Sequence, residues 1–334
     1  MSSQVSSFTV IGAGAWGTAL ALVLARGGHP VFLYTREEAH RNQMIQARSN
    51  LDYLPGILFP ENLKISKNLD QDIQNSEVVL IAVPSHAFSL VLKTVQQYLK
   101  PHHGVIWATK GLDPASGDFL HVVAKKILSH DHPLAILTGP SFAKEVAAGQ
   151  PTAVVIAGTD PKFTAKMQKA FQEKVFRTYR CDDFIGAEIG GAVKNVMAIA
   201  VGIADGLGFG SNTKAALMTR ALAEMTRLGV ALGAKPETLA GLSGLGDLIL
   251  TCSDNQSRNR RFGFLIGQGQ LIPEALKTVQ QVVEGYPNTE TIFKLCSKLK
   301  IEMPIVSQMY QVLFKSLSPK EAVMELLGRE VGFE

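Results

Sequence analysis

A single lysine stands inside the most apolar helical stretch of the sequence. Residues 192–204 are apolar nearly all round, which is typical of a buried helix, and Lys194 and Asn195 are the only strongly polar residues in its first three turns. Because an ammonium group is costly to remove from water, Lys194 needs either a carboxylate partner or an opening to a site. The alternative is a lysine near the helix start that extends to solvent.

Asp247 is the carboxylate that we expect beside Lys194, and Lys110 is a second candidate lysine. Asp247 stands alone in an apolar, glycine-rich segment, 241–249, that predicts a loop, although an acid there can also cap a helix N-terminus. Lys110 ends the predicted strand 105–109, and open α/β sheets bind ligands at the carboxyl ends of their strands. A solvated loop lysine is the competing interpretation of Lys110.

Two polar segments could bind an anion or line a cleft. Ser257 can begin a helix whose first N–H groups, with Arg258 and Asn259, would bind a phosphate, but a basic helix end facing solvent explains the same residues. Gly139 allows close backbone approach after another buried-type strand, and Ser141 could cap the short helix 143–148 while its hydroxyl faces the cleft. A purely structural turn is an equal alternative there.

The segment Gly12-Ala13-Gly14-Ala15-Trp16-Gly17 follows a predicted strand and opens a predicted helix. In a dinucleotide site Gly12 would make the tight turn, Gly14 would let the backbone approach a pyrophosphate, and Gly17 would let the helix pack on the strand. The free N–H groups at the helix start would face the phosphates. A glycine-rich turn without a ligand is the alternative.

The residues after the second predicted strand bear on the choice of cofactor. Strand 31–35 runs into Arg36, where an NAD-selective site would usually place an acid. An arginine there can pair with a 2′-phosphate and stack on adenine, which favours acceptance of NADP, and even a preference for it. Glu37 or Glu38 could still take the role of the acid, and Arg36 could be a surface charge.

The elements that must position these residues divide the chain into two halves. Short β-rich runs alternate with helical stretches in the first half, which predicts a parallel, doubly wound Rossmann-type sheet covered on both faces. From about Gly186 onward only helical patterns remain. We expect a dinucleotide-binding domain over residues 1–188 and an all-helical substrate-binding and catalytic domain over 189–334. The predicted strands are 8–12, 31–35, 63–66, 78–83, 105–109, 134–138, 153–157 and 176–179.

Composition narrows the class of protein. With 334 residues and 46% apolar content, the chain is long enough for two cores. Its formal charge of +4 is too slight to indicate a nucleic-acid or membrane-surface protein. Cys181, Cys252 and Cys296 are too widely spaced for a zinc site or a disulfide framework, and we expect no metal. Without a basic segment before Phe8 or a continuous apolar run of about 20 residues, we expect a cytoplasmic protein with no secretory signal and no membrane insertion.

A dinucleotide cradle, two lysines, a carboxylate and an anion receptor together describe a dehydrogenase of a phosphorylated hydroxy or keto compound. In order along the chain, these segments resemble the bacterial-type NAD(P)-dependent glycerol-3-phosphate dehydrogenase family. The resemblance runs from Gly12 to Glu284, and several motifs agreeing in order are more specific than any one. The motifs are the glycine-rich segment extended by Thr18-Ala19-Leu20, Thr109-Lys110-Gly111-Leu112, Gly139-Pro140-Ser141-Phe142-Ala143, Gly190-Gly191-Ala192-Val193-Lys194-Asn195, Gly244-Leu245-Gly246-Asp247-Leu248, Ser257-Arg258-Asn259 and Val283-Glu284-Gly285.

The resemblance implies the roles of the site residues. Lys194 would be the general acid and base at the C2 oxygen of dihydroxyacetone phosphate or glycerol 3-phosphate, assisted by Lys110 and Asp247, and acting as base would require burial or Lys110 to lower its pKa. It also implies a homodimer and a role in supplying glycerol 3-phosphate for phospholipid synthesis. The implied substrate contacts are Lys110, Gly139, Ser141, Lys194, Asp247, Ser257, Arg258 and Asn259. The cofactor contacts, with those of the glycine loop, are Gly12, Gly14, Ala15, Trp16, Gly17, Arg36, Lys110, Ala143, Arg258, Val282 and Glu284.

Two other functions stay open at this point. A β-hydroxyacid dehydrogenase or ketopantoate-type reductase shares the two-domain plan and a catalytic lysine but binds a carboxylate, whereas Lys110 and the receptor 257–259 favour a phosphate. A regulator that binds NAD(P)H without turnover would not need Lys194. The early strand at Phe8 also leaves no room for an N-terminal DNA-binding domain.

Overall fold

Eight short strands form one sheet in the first half of the chain. The computed structural model describes residues 5–128 and 131–328. Several strands are runs of apolar residues buried on both faces of the sheet, as the sequence predicts. The strands are β1 (Phe8–Ile11), β2 (Val31–Tyr34), β3 (Leu63–Ile65), β4 (Val78–Ile81), β5 (Gly104–Trp107), β6 (Leu134–Thr138), β7 (Thr152–Gly158) and β8 (Phe176–Cys181).

Helices connect the strands and make up the second half of the chain. Those among the strands are α1 (Ala15–Arg26), α2 (Glu38–Ala47), α3 (Leu69–Gln74), α4 (Ser85–Gln96), α5 (Leu120–Ile127), α6 (Ala143–Ala147) and α7 (Pro161–Phe171). Those after the sheet are α8 (Phe184–Gly206), α9 (Ser211–Ala231), α10 (Pro236–Ala240), α11 (Asp247–Ser253), α12 (Arg258–Gly267), α13 (Ile272–Val279), α14 (Gly285–Leu299), α15 (Pro304–Phe314) and α16 (Pro319–Leu327), with a π-helical turn at Leu242–Gly246. The predicted α/β half followed by a helical half is confirmed.

The strand order is β3-β2-β1-β4-β5-β6-β7-β8, and its first six strands follow the order of a Rossmann-type sheet. Strand β1 pairs in parallel with both β2 and β4, so the order of the chain reverses beside it. Open α/β sheets bind their ligands in the crevice at such a reversal. The glycine-rich segment follows β1 and therefore lies at this crevice.

The prediction of a parallel sheet is wrong for its last two strands. Strand β7 pairs antiparallel with β6, and β8 then runs parallel to β7. The connection from β6 to β7 contains only the five-residue helix α6, which is too short to return the chain to the level where β6 begins. Strand β7 therefore starts beside the carboxyl end of β6 and runs in the opposite direction.

Helix α8 is the centre of the helical half. Its residues from Gly186 to Ala204 are buried, and they pack against α9, α11, α12 and α14. By length and mean hydropathy this helix could cross a membrane, but 89% of its most apolar window is buried inside the protein. The predicted division between residues 188 and 189 falls inside α8 and stays a prediction.

Glycines let α8 and α12 approach each other at backbone contact. A Cβ on Gly202 would collide with the carbonyl oxygen of Arg260, and a Cβ on Gly263 would collide with that of Ile199. Gly206 and Gly267 make the same kind of contact one turn further along. Side chains normally hold packed helices about 8–10 Å apart. At these four glycines the two helices therefore approach more closely than side chains would allow.

Candidate active site

Two lysine side chains from distant parts of the chain meet at one carboxylate. Asp247 accepts a hydrogen bond at Oδ2 from Lys110 Nζ and another at Oδ1 from Lys194 Nζ, each 2.7 Å long. Asp247 is 1% exposed and Lys194 is 6% exposed, whereas the side chain of Lys110 retains 16%. Two ammonium groups against one carboxylate leave a net positive charge. The cluster therefore suits an anionic ligand or a developing oxyanion.

Close backbone packing places Asp247 beside α8. The segment 241–249, predicted as a loop, is instead a π-helical turn that runs directly into α11. A Cβ on Gly190 of α8 would collide with the carbonyl oxygen of Ser243 in this turn. The loop prediction was wrong because glycine disfavours helix, while packing decides the conformation here. Asp247 does not act as an N-cap, since Gly246 occupies that position.

The environment of Lys194 adjusts its proton affinity. Burial lowers the pKa of Lys194 to about 8; Asp247 opposes this shift and Lys110 adds to it. Burial by itself would raise the pKa of Asp247, but Lys110 and Lys194 together hold it below its usual range. Lys194 is therefore protonated at neutral pH, with a pKa close enough to allow transfer in both directions.

The turn after β6 connects Lys110 to Ser141. The carbonyl oxygen of Gly139 accepts hydrogen bonds from Lys110 Nζ at 3.2 Å and from Ser141 Oγ at 3.0 Å. Gly139 has a φ of +123°, which only glycine adopts without strain. Ser141 does not cap α6, whose N-cap is Phe142 with no side-chain hydrogen bond. The Ser141 hydroxyl thus lies near Lys110 and does not stabilise the helix start.

The start of α12 has the N-cap geometry on which the predicted anion receptor depends. Ser257 is its N-cap and accepts a hydrogen bond from the N–H three residues on, as the sequence predicts. The other two N–H groups of the first turn, those of Arg258 and Asn259, have no carbonyl partner within their own helix, and the side chain of Arg258 is exposed beside them. Asn259 is buried, and its carboxamide joins Asn195 Oδ1 to the N–H of Gly285, each at 2.9 Å.

Glu284 and Val282 extend the cleft towards the sheet. Glu284 accepts a 2.9 Å hydrogen bond from the hydroxyl of Ser85, which begins α4 directly after β4. Burial raises the pKa of Glu284, although this hydrogen bond and the charge of Arg258 oppose the shift. Val282 is exposed. The helical half therefore contacts the crevice of the sheet at the carboxyl end of β4.

The glycine-rich segment has the geometry that a dinucleotide requires. Gly12 has a φ of +111°, and a Cβ there would collide with the carbonyl oxygen of Ala82. Apart from its two neighbours in the chain, no described residue has an atom within 4 Å of a Cβ built on Gly14, so a phosphate could approach its backbone. A Cβ on Gly17 would collide with the carbonyl oxygen of Gly12, and Trp16 Nε1 is buried without a partner in the described structure. These residues fit an NAD(P) pyrophosphate at the start of α1.

The residues that follow β2 bear on the choice between NAD and NADP. β2 ends at Tyr34, so Arg36 lies two residues beyond it with an exposed side chain. Glu37 is the N-cap of α2, and Glu38 forms a 3.1 Å ion pair with Arg41. Glu38 is therefore engaged on its own helix, while Arg36 extends from the carboxyl end of the strand.

Sequence reasoning missed the hydroxyl that holds Lys194. Lys194 Nζ donates a 2.7 Å hydrogen bond to Thr251 Oγ1, which lies four residues after Asp247 on α11. Residues four apart share one face of a helix, so the spacing was a signal, but it was hidden by the loop prediction. Ser85 gave no local signal, because its partner Glu284 lies 199 residues away.

Comparison with known proteins agrees with this arrangement. Residues 7–164 match the model of the NAD-dependent glycerol-3-phosphate dehydrogenase N-terminus, and residues 183–324 match that of its C-terminus. Glycerol-3-phosphate dehydrogenase [NAD(P)+] of Colwellia psychrerythraea is 50% identical, covering 99% of this chain and all of that protein. Its counterpart in Bartonella tribocorum is 52% identical over 97% of both chains. The crystal structure of glycerol-3-phosphate dehydrogenase from Coxiella burnetii has a TM-score of 0.94 at 45% identity, covering 97% of this chain and 99% of that one.

Proposed function

The chain belongs to the NAD-dependent glycerol-3-phosphate dehydrogenase family, and we propose that Lys194 is the proton donor and acceptor of its reaction, with Lys110 and Asp247 as partners. As an NAD(P)-dependent oxidoreductase it interconverts dihydroxyacetone phosphate and glycerol 3-phosphate. The observation that carries the proposed roles is the carboxylate of Asp247, held between the two lysines at 2.7 Å from each.

Proton transfer is the part of the reaction that falls to this chain. When bound, NAD(P)H supplies the hydride to C2, and the C2 oxygen must gain a proton at the same time. Lys194 donates that proton in the reduction and accepts it in the oxidation, since its pKa of about 8 suits both directions near neutral pH. Asp247 and Thr251 fix its Nζ through 2.7 Å hydrogen bonds, so the ammonium group is already oriented.

The remaining groups bind and orient the substrate. Lys110 places a second positive charge beside Asp247 and stabilises negative charge at the C2 oxygen. The phosphate binds at the start of α12, to the N–H groups after Ser257 and to the side chain of Arg258. Ser141 lies on the Lys110 side of this site. Holding the distant phosphate fixes the position of C2 relative to Lys194.

Arg36 favours NADP as the better cofactor. Its guanidinium extends beyond β2 and can pair with a 2′-phosphate. We expect Arg36→Ala to weaken NADPH binding while leaving NADH binding almost unchanged. From the resemblance of the motifs we further propose a cytoplasmic homodimer that supplies glycerol 3-phosphate for phospholipid synthesis; a mass in solution equal to the 36.0 kDa of one chain would contradict the dimer.

Oxidation of NADPH and NADH in the presence of dihydroxyacetone phosphate tests the reaction. We expect turnover by the wild-type protein and a loss of at least about 100-fold in Lys194→Met, because general acid catalysis contributes about 10²–10⁴. The matched control is Lys214→Met, which removes a lysine paired at 3.1 Å with Asp205 in the same half of the chain. Equal activities of the two variants would contradict the role of Lys194, and turnover of a carboxylate-bearing ketone alone would contradict the substrate.

A further inference from the structure

Asn50 uses its whole carboxamide to connect the glycine-rich segment to α2. Its Nδ2 donates hydrogen bonds to the carbonyl oxygen of Ala13 at 2.9 Å and to Thr18 Oγ1 at 2.8 Å. Its Oδ1 lies 3.0 Å from Nε2 of His40 on α2. The side chain is fully buried. Both N–H groups of the amide and its oxygen therefore have partners, and both N–H groups are directed at residues around the start of α1.

The segment between α2 and β3 holds Asn50 rigidly. Leu54 and Phe59 anchor this segment in the core under α1, with exposures of 2% and 6%. The N–H of Leu54 bonds to the carbonyl oxygen of Asn50 at 2.8 Å, and that of Phe59 bonds to the carbonyl oxygen of Arg48 at 2.7 Å. Asn50 is therefore presented to the glycine-rich segment from a fixed support.

The hydrogen bond to Ala13 determines how the next peptide group points. In a planar trans peptide the carbonyl and the N–H point in opposite directions, and the Ala13–Gly14 bond is not cis. With the carbonyl of Ala13 held by Asn50, the N–H of Gly14 points to the opposite side. Gly14 is the N-cap of α1 and has open space beside it, which is where the pyrophosphate is expected.

We infer that Asn50 is a positioning residue of the dinucleotide site, acting through the Ala13 carbonyl and supported by His40. The inference rests on the proposed function only in taking a dinucleotide as the ligand of this segment. Asn50 acts without touching the ligand. It fixes the N–H groups at the start of α1 before binding, so its loss should weaken dinucleotide affinity more than it affects the chemical step.

A second asparagine provides a matched control. Asn62 Nδ2 donates hydrogen bonds to the carbonyl oxygens of Ala25 and His29, at 2.7 and 2.8 Å, near the opposite end of α1. Asn50→Ala and Asn62→Ala each remove two donors from the same helical region. A merely structural role would give the two variants similar losses of thermal stability and no difference in ligand binding.

The experiment measures the Kd of NADPH by fluorescence titration of the full chain without substrate, at a temperature where each variant is folded. We expect Asn50→Ala to raise the Kd about tenfold, as the loss of about one to two hydrogen bonds predicts, and Asn62→Ala to leave it within about twofold of wild type. In turnover, the KM for NADPH should rise in Asn50→Ala, while kcat at saturating NADPH stays within about threefold.

His40→Ala keeps the test decisive if Asn50→Ala does not fold. This variant removes the contact that His40 Nε2 makes with Asn50 Oδ1, and it should raise the Kd of NADPH about threefold. Where both variants fold, the double variant should bind no more weakly than Asn50→Ala alone, because the two residues act through one carboxamide. A Kd in His40→Ala and Asn50→Ala equal to that of Asn62→Ala would overturn the inference while leaving the proposed function intact. Wild-type protein that binds neither NADPH nor NADH would overturn both.

Discussion

Replacing Asp247 by Asn should move the pH dependence of the reaction towards acid. The amide keeps the shape of the side chain but removes the negative charge that lies 2.7 Å from Lys194 Nζ. Asp247 raises the pKa of Lys194 against the effect of burial, and the net value is about 8. An opposite charge at contact distance shifts a pKa by about 1–3 units, so the pKa of Lys194 should fall to about 5–7 in the variant.

The size of the effect follows from the fraction of Lys194 that carries a proton. At about pH 7.5, a pKa of about 8 leaves roughly three quarters of the wild-type protein protonated, against about one quarter for a pKa of about 7 and about 0.3% for a pKa of about 5. Reduction of dihydroxyacetone phosphate at that pH should therefore slow by about 3- to 200-fold. Lowering the pH should restore a large part of the lost rate.

The assay is the pH profile of kcat/KM for the reduction, in wild type and in Asp247→Asn. Glu224→Gln is the control, because Glu224 is also a buried carboxylate of the helical half and accepts a 2.7 Å hydrogen bond from the N–H of Ile305, at the start of α15. Its profile should match that of wild type even if its stability falls. A loss of rate in Asp247→Asn that is equal at every pH would refute the argument, since Asp247 would then act only by placing the lysines.

Three further outcomes follow from the packing and the charges. Gly263→Ala should lower the free energy of unfolding by about 1–3 kcal/mol in denaturant titrations, because the new methyl group would collide with Ile199. Gly14→Ala should unfold like wild type but bind NADPH more weakly, since its methyl group would occupy the open space beside the start of α1. Lys194 has a pKa of about 8 in the folded protein and the ordinary lysine value of 10.5 in the unfolded chain, so the unfolded chain binds more protons between these values. Wild-type stability should therefore rise by about 3 kcal/mol from about pH 8 to about pH 10.5, relative to Lys194→Met; a parallel pH dependence of the two proteins would contradict the lowered pKa.

The sequence predicts the parts of this fold that depend on local pattern. The strands and the turn at Gly12 follow from runs of apolar residues and from glycine spacing, both of which act within a few residues. The reversed direction of β7 does not follow from the residues of the strand itself, because a buried apolar strand has the same pattern in either direction; the signal lay in the short connection from β6.

The candidate site also has parts that local sequence pattern predicts and parts that it does not. A lone lysine in an apolar helix predicts that Lys194 needs a partner, and Asp247 is the carboxylate expected beside it. Lys110 binds the same carboxylate although it lies 137 positions from Asp247 in the sequence, and no local pattern contains that information. No sequence pattern indicates the contacts of Asn50 either, since its partners lie 32 and 37 residues away.

The close approach of α8 and α12 limits the motions available to the cleft. Shear is a small sliding of packed helices past each other, but at Gly202 and Gly263 the backbone of each helix lies directly against the backbone of the other. We therefore expect Lys194 on α8 and the proposed phosphate receptor at the start of α12 to move together. Any closure around substrate is expected to be a hinge rotation of this pair of helices against the sheet. The distance between the proposed proton donor and the proposed phosphate anchor would then stay constant and would limit the length of the substrate that fits.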